Sequence, residues 1–296
     1  MPLNAARVCT VGTATCVVLA GALGPADSVQ AQAAATLKVM DWNIHHGVDT
    51  GAVNNLDRVT TWIKNIGAHV VSLNEVEKQN GYNNNADEPA VLESLLESKT
   101  GVPWYGCFAQ RVGAATGQGN LVLSRIRIDA CDRRLLSAER SVARATLTLN
   151  GTRISVFSTH LDDASASMRT TQVAELTSWA ATAPEQRIIM GDLNAGATSA
   201  ELQPLRAAYQ DAWPAAVAAG TAVSYPSNTA GNTRNSRIDY IWRSNGATQL
   251  TLQSAQVYDT GTVSDHRPVA ATYAVTTTTT TTLTLQAPRR LRVVAR

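Results

Sequence analysis

The sequence contains few cysteines, no internal repeat and no strong excess of charge. Four cysteines in 296 residues do not form a cluster that could ligate a metal. The formal net charge is only +2, and four arginines among the last eight residues outweigh that excess. The overall balance therefore gives no sign of the basic face expected of a protein that wraps long nucleic acid, although it is compatible with a local basic patch.

The two ends of the chain differ in composition from the rest. Arg7, an apolar stretch over 8–23 and the small residues Ala31-Gln32-Ala33 form the three regions of a secretory signal peptide, so we expect residues 1–33 to be removed. A membrane anchor is the alternative, but the run is short and interrupted for a span, and no other segment could cross a bilayer. The threonine-rich, basic segment 276–296 is typical of a disordered tail, with a tether to the cell surface or to nucleic acid as the alternative.

Export would place the remaining cysteines in an oxidising compartment. Cys9 and Cys16 lie in the signal peptide, whereas Cys107 and Cys131 lie on neighbouring strand-like segments. A disulfide between Cys107 and Cys131 is therefore expected, and two unpaired buried thiols are the alternative. We expect a secreted, monomeric protein with no stable membrane insertion.

Between the two ends, residues 37–275 are predicted to form one folded domain. The apolar patterns predict strands at 37–44, 70–76, 104–109, 120–124, 127–137, 144–149, 152–159, 187–193, 237–242, 249–258 and 269–275. Helices are predicted at 54–66, 88–99 and 165–180. Asn150-Gly151 is the type I′ turn of a hairpin. Helices mixed with many strands, some of them in hairpins, indicate an α/β sandwich rather than a simple βαβ repeat.

Short polar motifs lie beside these strands, where functional side chains concentrate on loops held by a rigid scaffold. They contain Asn43, Glu75, His160, Asp162, Asp192, Asn194, Asp239, Asp265 and His266. Carboxylates, carboxamides and two histidines on one rim suit a hard divalent cation and a phosphate ester. A single Glu beside a cavity is the expected main ligand of a cation that keeps most of its waters.

Most of these motifs also have a plain structural explanation. Asp192 and Asn194, two apart on an extended segment, would point the same way and could orient a water and a phosphate, but an Asx turn after a strand would look identical. His266 could be an ordinary turn histidine. His45 lies beside Asn43 and, with Asp162 on the loop after His160, is predicted to contact substrate.

The joint order of the motifs is more specific than any one of them. From Trp42-Asn43-Ile44 to Ser264-Asp265-His266-Arg267-Pro268, the order Asn, Glu, His, Asp-x-Asn, Asp, Asp-His resembles the endonuclease/exonuclease/phosphatase superfamily of DNase I-like metal-dependent phosphoesterases. The chain is most similar to the short bacterial metal-dependent hydrolases of that superfamily. The resemblance implies a four-layer α/β sandwich of two packed mixed β-sheets flanked by helices, with the site at one end.

The resemblance also implies roles for a metal and a water. Asn43 and Glu75, with Asp265 near them, would position Mg²⁺, for which Mn²⁺ or Ca²⁺ could substitute. Asp192 would orient or deprotonate the attacking water, and Asn194 would bind the phosphate.

Further roles follow from the same resemblance. His266, oriented by Asp239, and His160 would contact the phosphate, and Asn120 would line the cleft. Asn74 stands where the family usually has Gln, so a contact behind the metal ligand could shift.

These patterns together predict a secreted Mg²⁺-dependent phosphoesterase whose substrate is a phosphodiester, either nucleic acid or a phospholipid head group. A phosphomonoesterase acting on sugar or inositol phosphates is the first alternative, followed by a sphingomyelinase-like enzyme and a non-catalytic binding module. A nuclease would use basic loops, which six arginines could supply unless they are simply scattered over the surface: Arg111, Arg125, Arg127, Arg133, Arg134 and Arg144.

Overall fold

The structure is a computed structural model that describes residues 33–277. The predictions of a signal peptide over 1–33 and of a tail over 276–296 lie almost wholly outside the described residues. Within 33–277, no helix combines the length and the apolar character needed to pass through a membrane.

The described residues form thirteen strands and five α-helices. The strands are β1 (Ala35–Asn43), β2 (Val70–Lys78), β3 (Tyr105–Gln110), β4 (Gly117–Ser124), β5 (Ile128–Leu136), β6 (Arg140–Leu149), β7 (Thr152–His160), β8 (Arg187–Asp192), β9 (Tyr209–Asp211), β10 (Ala222–Val223), β11 (Asp239–Ser244), β12 (Leu250–Val257) and β13 (Val269–Val275). The helices are α1 (Leu56–Ile66), α2 (Glu88–Thr100), α3 (Ala166–Ala180), α4 (Gln203–Ala208) and α5 (Ala212–Ala218).

The strands form two mixed sheets. One has the order β10-β12-β13-β1-β2-β4-β3 and the other the order β5-β6-β7-β8-β11-β9. The pairs β1–β2 and β7–β8 are parallel, so the two strands of each pair point their carboxyl ends in the same direction. Two packed mixed sheets with helices outside them confirm the predicted fold class.

The alternating direction of the side chains along β1 explains the layers of the sandwich. Leu37 and Val39 pack into the core between the two sheets, whereas Met40 and Trp42 pack against the outer helices α1 and α2. Successive side chains of a strand point to opposite faces, so an apolar residue at every position gives a strand that is buried on both sides. The second sheet is covered in the same way by α3 and α4, which complete the four layers.

The inner faces of both sheets change from apolar to polar at one end of the sandwich. In β1, Val39 is followed on the same face by Asp41 and Asn43, and all three are almost fully buried. The two sheets are joined at this end by a hydrogen bond of 2.8 Å from Ser72 Oγ to Ser158 Oγ. Polar side chains buried between two sheets need partners there, so this end is built around contacts between side chains.

The predicted helices and the hairpin are present, with ends that differ by one or two residues. Gly67 and Gly151 adopt the left-handed conformation that ends α1 and turns the hairpin. The elements α4, β9, α5 and β10, over 203–223, were not predicted. They are short and rich in alanine, so their sequences carry little periodic signal.

A disulfide joins the two sheets at their edges, as the sequence predicted. Cys107 lies on β3 and Cys131 on β5, each an outermost strand of its sheet, and their Cα atoms are 5.5 Å apart. The bridge closes a loop with a sequence separation of 24.

We expect Cys107→Ala/Cys131→Ala to lower the free energy of unfolding by about 3 kcal/mol, because a loop of this length removes that much chain entropy from the unfolded state. Urea unfolding of the double variant would measure it, with the wild type plus reductant as the matched control. Equal midpoints for the variant and the oxidised wild type would contradict a stabilising bridge.

Candidate functional site

An open cleft of about 430 Å³ lies at the polar end of the sandwich. Seven of the eleven predicted site residues line it: His45, Glu75, His160, Asp192, Asn194, Asp265 and His266. Asn43 and Asp239 lie directly behind them and contact them. The two sheets therefore bring together most of the residues predicted from the order of the motifs.

Asn43 links the two sheets at the base of the cleft. It is the last residue of β1, and its Nδ2 donates to Glu75 Oε1 at 2.8 Å and to Asp192 Oδ2 at 3.1 Å. Its Oδ1 accepts the backbone N–H of His45 at 3.0 Å. One amide thus holds a carboxylate from each sheet.

The sequence predicted that Glu75 lies at the end of its strand, and this is wrong. β2 continues to Lys78, and Glu75 occupies an irregularity in the pairing of β2 with β4, with a φ of 56°. An extra residue in a strand redirects a side chain, and here it turns Glu75 into the cleft. His46 supports it, because His46 Nε2 lies 3.1 Å from Glu75 Oε2 while the ring stacks on Tyr82.

Asp192 and Asn194 converge through a turn rather than through strand alternation. Asp192 ends β8, and its Oδ1 accepts the backbone N–H of Asn194 at 2.9 Å, while Asn194 itself has a φ of 48°. Gly191 permits the close approach of β7 and β8, because a Cβ there would overlap the Thr159 carbonyl oxygen. The Asx-turn alternative is correct for the backbone, and both side chains still face the cleft.

Asp192 is 1% exposed, so its carboxyl group is almost completely removed from solvent. Burial, and next the negative charge of Asp239, raise its pKa to about 7, although the charge of His266 opposes this. A general base is most effective when its pKa lies near the working pH. Asp192 therefore has the properties of a proton acceptor at neutral pH.

His266 and Asp239 form a buried pair behind the cleft. His266 Nδ1 lies 2.9 Å from Asp239 Oδ2 and 3.1 Å from Oδ1. Burial acts to lower the pKa of His266, but the charge of Asp239 and this hydrogen bond outweigh it, and together with Asp192 they raise the pKa to about 10. At neutral pH the ring is an imidazolium that directs Nε2 towards Asp192, 3.8 Å away.

His160 is held in the opposite protonation state. Burial, followed by the positive charge of Arg140, lowers its pKa well below the usual value, so the ring is neutral. Asn194 Nδ2 lies 3.0 Å from His160 Nε2, so the neutral ring accepts this hydrogen bond and fixes the Asn194 amide. His266 and His160 therefore differ in charge: His266 is cationic and His160 is neutral.

Three arginines surround the opening of the cleft. Arg111, Arg140 and Arg234 all line it, and Arg234 pairs with Asp265 at 2.6 Å. Arg140 is held by Asp163 at 2.9 Å. Guanidinium groups fixed in this way present their remaining N–H donors to an anion in the cleft.

The other predicted substrate contacts differ in position. His45 lines the cleft, as predicted. Asn120 is 3% exposed, donates to the Ser141 carbonyl oxygen at 2.9 Å and lines a narrow adjoining pocket, so it supports the wall of the cleft. Asp162 does not join the cluster, because its Oδ1 accepts the backbone N–H groups of Ala164 and Ser165 in the turn before α3.

Asn74 links the two sheets through three hydrogen bonds, a role that the sequence did not predict. Its Oδ1 accepts the backbone N–H of Asp192 at 3.0 Å, and its Nδ2 donates to Asn120 Oδ1 and to the Thr159 carbonyl oxygen, both at 2.9 Å. The shorter amide at this position thus fixes the backbone of Asp192. A shifted contact was expected behind the metal ligand because Asn replaces Gln here. The structure has at this place a hydrogen bond from the Asp192 N–H on β8 to the Asn74 side chain on β2.

Sequence reasoning missed Asp41 and Arg234. Asp41 is fully buried, and burial, followed by the charge of Asp239, raises its pKa well above the usual value. An aspartate on the inward face of an apolar strand, two residues before Asn43, was the available signal. Arg234 lies in a long loop without periodicity, so only the structure places it at the cleft.

Two sets of side chains could hold a divalent cation. Atoms of Asp192, Asp239 and His266 lie within 4.8 Å of one another, but in that set the imidazolium already pairs with Asp239 and repels a cation. Glu75 and Asp265 line the open cleft, with side chains 18% and 27% exposed. Partly hydrated carboxylate oxygens suit a cation such as Mg²⁺, which keeps several of its waters, so the predicted set fits better.

Comparison with known proteins supports the fold. The model of the Endonuclease/Exonuclease/phosphatase family matches residues 42–266. No curated protein matches the chain.

Several solved structures share the fold. An endonuclease/exonuclease/phosphatase from Beutenbergia cavernae is 24% identical over 81% of this chain and 72% of its own, with a TM-score of 0.63. D. rerio TDP2 complexed with a single-strand DNA product is 19% identical over 80% and 98%, with a TM-score of 0.58. The human Nocturnin catalytic domain with a bound sulfate anion is 18% identical over 81% and 94%, with a TM-score of 0.61. At these identities the likeness shows the fold.

Proposed function

The chain belongs to the endonuclease/exonuclease/phosphatase family, and from this premise we propose that it is a secreted Mg²⁺-dependent phosphodiesterase. The observation that carries the proposal is the placement of Asp192. This carboxyl group, with a pKa of about 7, is joined to Glu75 through Asn43 and faces the imidazolium of His266. A base, a cation-binding carboxylate and an acidic group therefore meet in one cleft.

The charge of the cleft supports an anionic substrate. Arg111, Arg140 and Arg234 surround it, and His266 adds a buried positive charge. A phosphate group placed among them would accept charge-assisted hydrogen bonds, which are stronger than neutral ones.

Asp192 would activate the nucleophile. A water beside its carboxylate would lose a proton to Asp192 as the water oxygen bonds to phosphorus, and the P–O bond to the leaving group would break on the opposite side. Asn43 and the Asn194 backbone N–H hold the two carboxylate oxygens in place, so the base needs no reorganisation during the step.

His266 and Asn194 would stabilise the negative charge that develops on the phosphoryl oxygens. The imidazolium is kept charged by Asp239, and the amide is oriented by the neutral His160. Fixed donors directed at developing charge are commonly the largest contribution to catalysis.

Asn43, Glu75 and Asp265 would hold the Mg²⁺. When bound, the cation supplies Lewis-acid polarisation of the phosphoryl oxygen and stabilises the leaving oxyanion. The partial exposure of Glu75 and Asp265 supports a partly hydrated ion. Asp265 would have to exchange its contact with Arg234 for the cation, which would free that guanidinium for the substrate.

A phosphodiester is the preferred substrate because the cleft is open. The fold of a structural neighbour, D. rerio TDP2, accommodates a single-strand DNA product. For this chain, nucleic acid is therefore a consistent substrate class. The disulfide between Cys107 and Cys131 and the sequence of residues 1–33 support export, since such bridges persist in oxidising compartments.

We expect the mature protein to hydrolyse bis-p-nitrophenyl phosphate and to nick plasmid DNA in Mg²⁺, and to lose both activities in EDTA. Titration calorimetry with Mg²⁺ alone, on wild type and Glu75→Gln, would test the metal site independently of turnover. Asp57→Asn, an exposed carboxylate on α1, is the matched control and should bind Mg²⁺ as the wild type does.

Other outcomes would redirect the proposal. Hydrolysis of p-nitrophenyl phosphate alone would make the protein a phosphomonoesterase. Mg²⁺ binding without hydrolysis of any of the three substrates would favour a narrow lipid or sugar-phosphate substrate, or a binding module. Undiminished hydrolysis in EDTA would contradict the role of the metal.

A further inference from the structure

A second, basic cavity lies beside the catalytic cleft. Its volume is about 580 Å³, and the residues that line it include Lys78, Arg133, Arg134 and Ser141. No acidic residue is among its lining residues, all of which belong to the part of the chain that the structure describes. We call this cavity the basic groove.

The basic groove adjoins the cleft. A narrow pocket lined by Arg111, Arg140, Ser141 and His160 lies between them. Ser141 also lines the basic groove, while Arg111, Arg140 and His160 also line the cleft. Because this pocket holds only about 10 Å³, an extended anion that leaves the cleft on the His160 side would have to bridge over it to reach the basic groove.

Arg133 and Arg134 carry the uncompensated positive charge of the basic groove, because Lys78 pairs with Asp87 at 3.3 Å. Elsewhere on the same sheet, Arg127 pairs with Asp129 at 2.7 Å and Arg144 pairs with Asp132 at 2.8 Å. Those two arginines are neutralised locally and do not extend the patch. Of the six arginines that the sequence offered for a nuclease surface, Arg133 and Arg134 line the basic groove, while Arg111 lines the narrow pocket and the cleft and pairs with Glu139 at 2.8 Å.

The two walls of the basic groove are fixed relative to each other. One wall comes from β3 and the other from β5, and the disulfide between Cys107 and Cys131 joins these two strands. Directly beside the bridge, Arg133 Nε donates to the Phe108 carbonyl oxygen. A preformed groove loses little entropy when a ligand enters it.

From this proximity, charge and rigidity, we propose that the basic groove binds phosphates of a nucleic-acid strand close to the scissile phosphate. The site rests on the proposed phosphodiesterase function, since it takes the part of the same substrate that extends beyond the cleft. Arg133 and Arg134 are the specificity-determining residues, because they would contact only a substrate with several phosphates. A small diester such as bis-p-nitrophenyl phosphate would fill the cleft without reaching them.

The test compares Arg133→Glu/Arg134→Glu with Lys64→Glu/Arg153→Glu, which changes the net charge equally. Lys64, near the end of α1, and Arg153, near the start of β7, are exposed and lie away from the cleft. Anisotropy of a fluorescent single-stranded oligonucleotide in EDTA reports binding without turnover. We expect the groove variant to bind about tenfold more weakly and the slope of log K against log salt to fall by about 1.4, from about 0.7 per lost phosphate contact.

Hydrolysis assays test the groove proposal independently of the proposed catalytic function. We expect the groove variant to keep wild-type kcat/KM on bis-p-nitrophenyl phosphate and to lose about tenfold on the oligonucleotide, mostly through KM. Arg133→Lys/Arg134→Lys keeps the charges and should behave like the wild type, which guards against a folding defect. Equal oligonucleotide binding by the two charge-reversed variants would overturn the groove proposal while leaving the phosphodiesterase intact.

A different ligand would also be detected. Leu135 and Val112, 53% and 45% exposed, lie near the basic groove. If the groove variant binds the oligonucleotide normally but loses binding to vesicles containing phosphatidylserine, the groove faces a lipid surface and the nucleic-acid proposal is wrong. Failure of the wild type to hydrolyse any diester, with groove-dependent oligonucleotide binding intact, would overturn only the proposed catalytic function.

Discussion

Asp192→Asn is expected to lower kcat/KM on bis-p-nitrophenyl phosphate by about 10²–10⁴-fold, the usual contribution of a positioned acid–base group. An amide has nearly the shape of the carboxyl group but cannot take a proton from the attacking water. Of the two hydrogen bonds that the Asp192 carboxylate accepts, the one from the Asn194 N–H can be kept, whereas Asn43 Nδ2 would face a second N–H donor. Part of the loss could therefore come from displacement of Asn43.

The control for this variant is Asp211→Asn. Asp211 is another buried aspartate of the same sheet, it is paired with Arg237, and it does not line the cleft. It should lose stability but keep its activity per folded molecule. If Asp192→Asn and Asp211→Asn retain similar kcat values, Asp192 is not the base and the mechanism must be revised.

The pH dependence of stability gives a second readout for Asp192→Asn. The pKa of Asp192 is raised from its ordinary 3.8 to about 7, so the folded state binds more protons than the unfolded state between about pH 4 and 7. The contribution of Asp192 to stability is thus present below about pH 4 and is lost as the pH rises through 7. In EDTA, the Tm of the wild type should fall relative to that of the variant across this window.

The layers of the sandwich could be predicted because they depend on local alternation. Leu37 and Val39 point one way along β1 and Met40 and Trp42 the other, and a strand that is apolar on both faces must be covered on both. The meeting of the motifs could also be predicted, because parallel strands such as β7 and β8 end on the same side. Neither conclusion needs knowledge of contacts between distant residues.

The details of the site could not be predicted, because they depend on single residues acting across the sheets. The irregularity that turns Glu75 into the cleft adds one residue to β2 without changing its apolar pattern. Asn74 finds its partners at Thr159 and Asp192, far away in the sequence. Asp162 has the same type and position after a strand as a catalytic carboxylate, yet it bonds the turn before α3.

The basic groove could not be predicted from the sequence either. A formal net charge of +2 gave no reason to expect a basic surface. The pairing of β5 with β6 sets Arg144 opposite Asp132, while Arg133 and Arg134 line a groove without acidic residues. Local charge depends on which arginines find a carboxylate, and only the tertiary structure decides that.

Asp239→Asn should lower kcat/KM by about 10²-fold or more at pH 8, because Asp239 maintains the charge of a second group without contacting the substrate itself. Its carboxylate is the main reason that the pKa of the buried His266 is raised to about 10 despite desolvation. The amide still accepts the Nδ1–H hydrogen bond but brings no charge, so desolvation is no longer offset. The variant would then hold His266 neutral at a pH where the wild type holds it cationic.

The pH profile identifies this mechanism. The active, protonated form of His266 is fully present below its pKa and is lost as the pH rises through it, so the wild type should keep its activity to near pH 10. In Asp239→Asn the basic limb should move to lower pH, whereas His266→Gln should be slow at every pH and lack that limb. Asp57→Asn, an exposed carboxylate, should leave the profile unchanged. A uniform loss of rate in Asp239→Asn with an unshifted basic limb would mean that Asp239 supports only the fold, and that another group provides the acid.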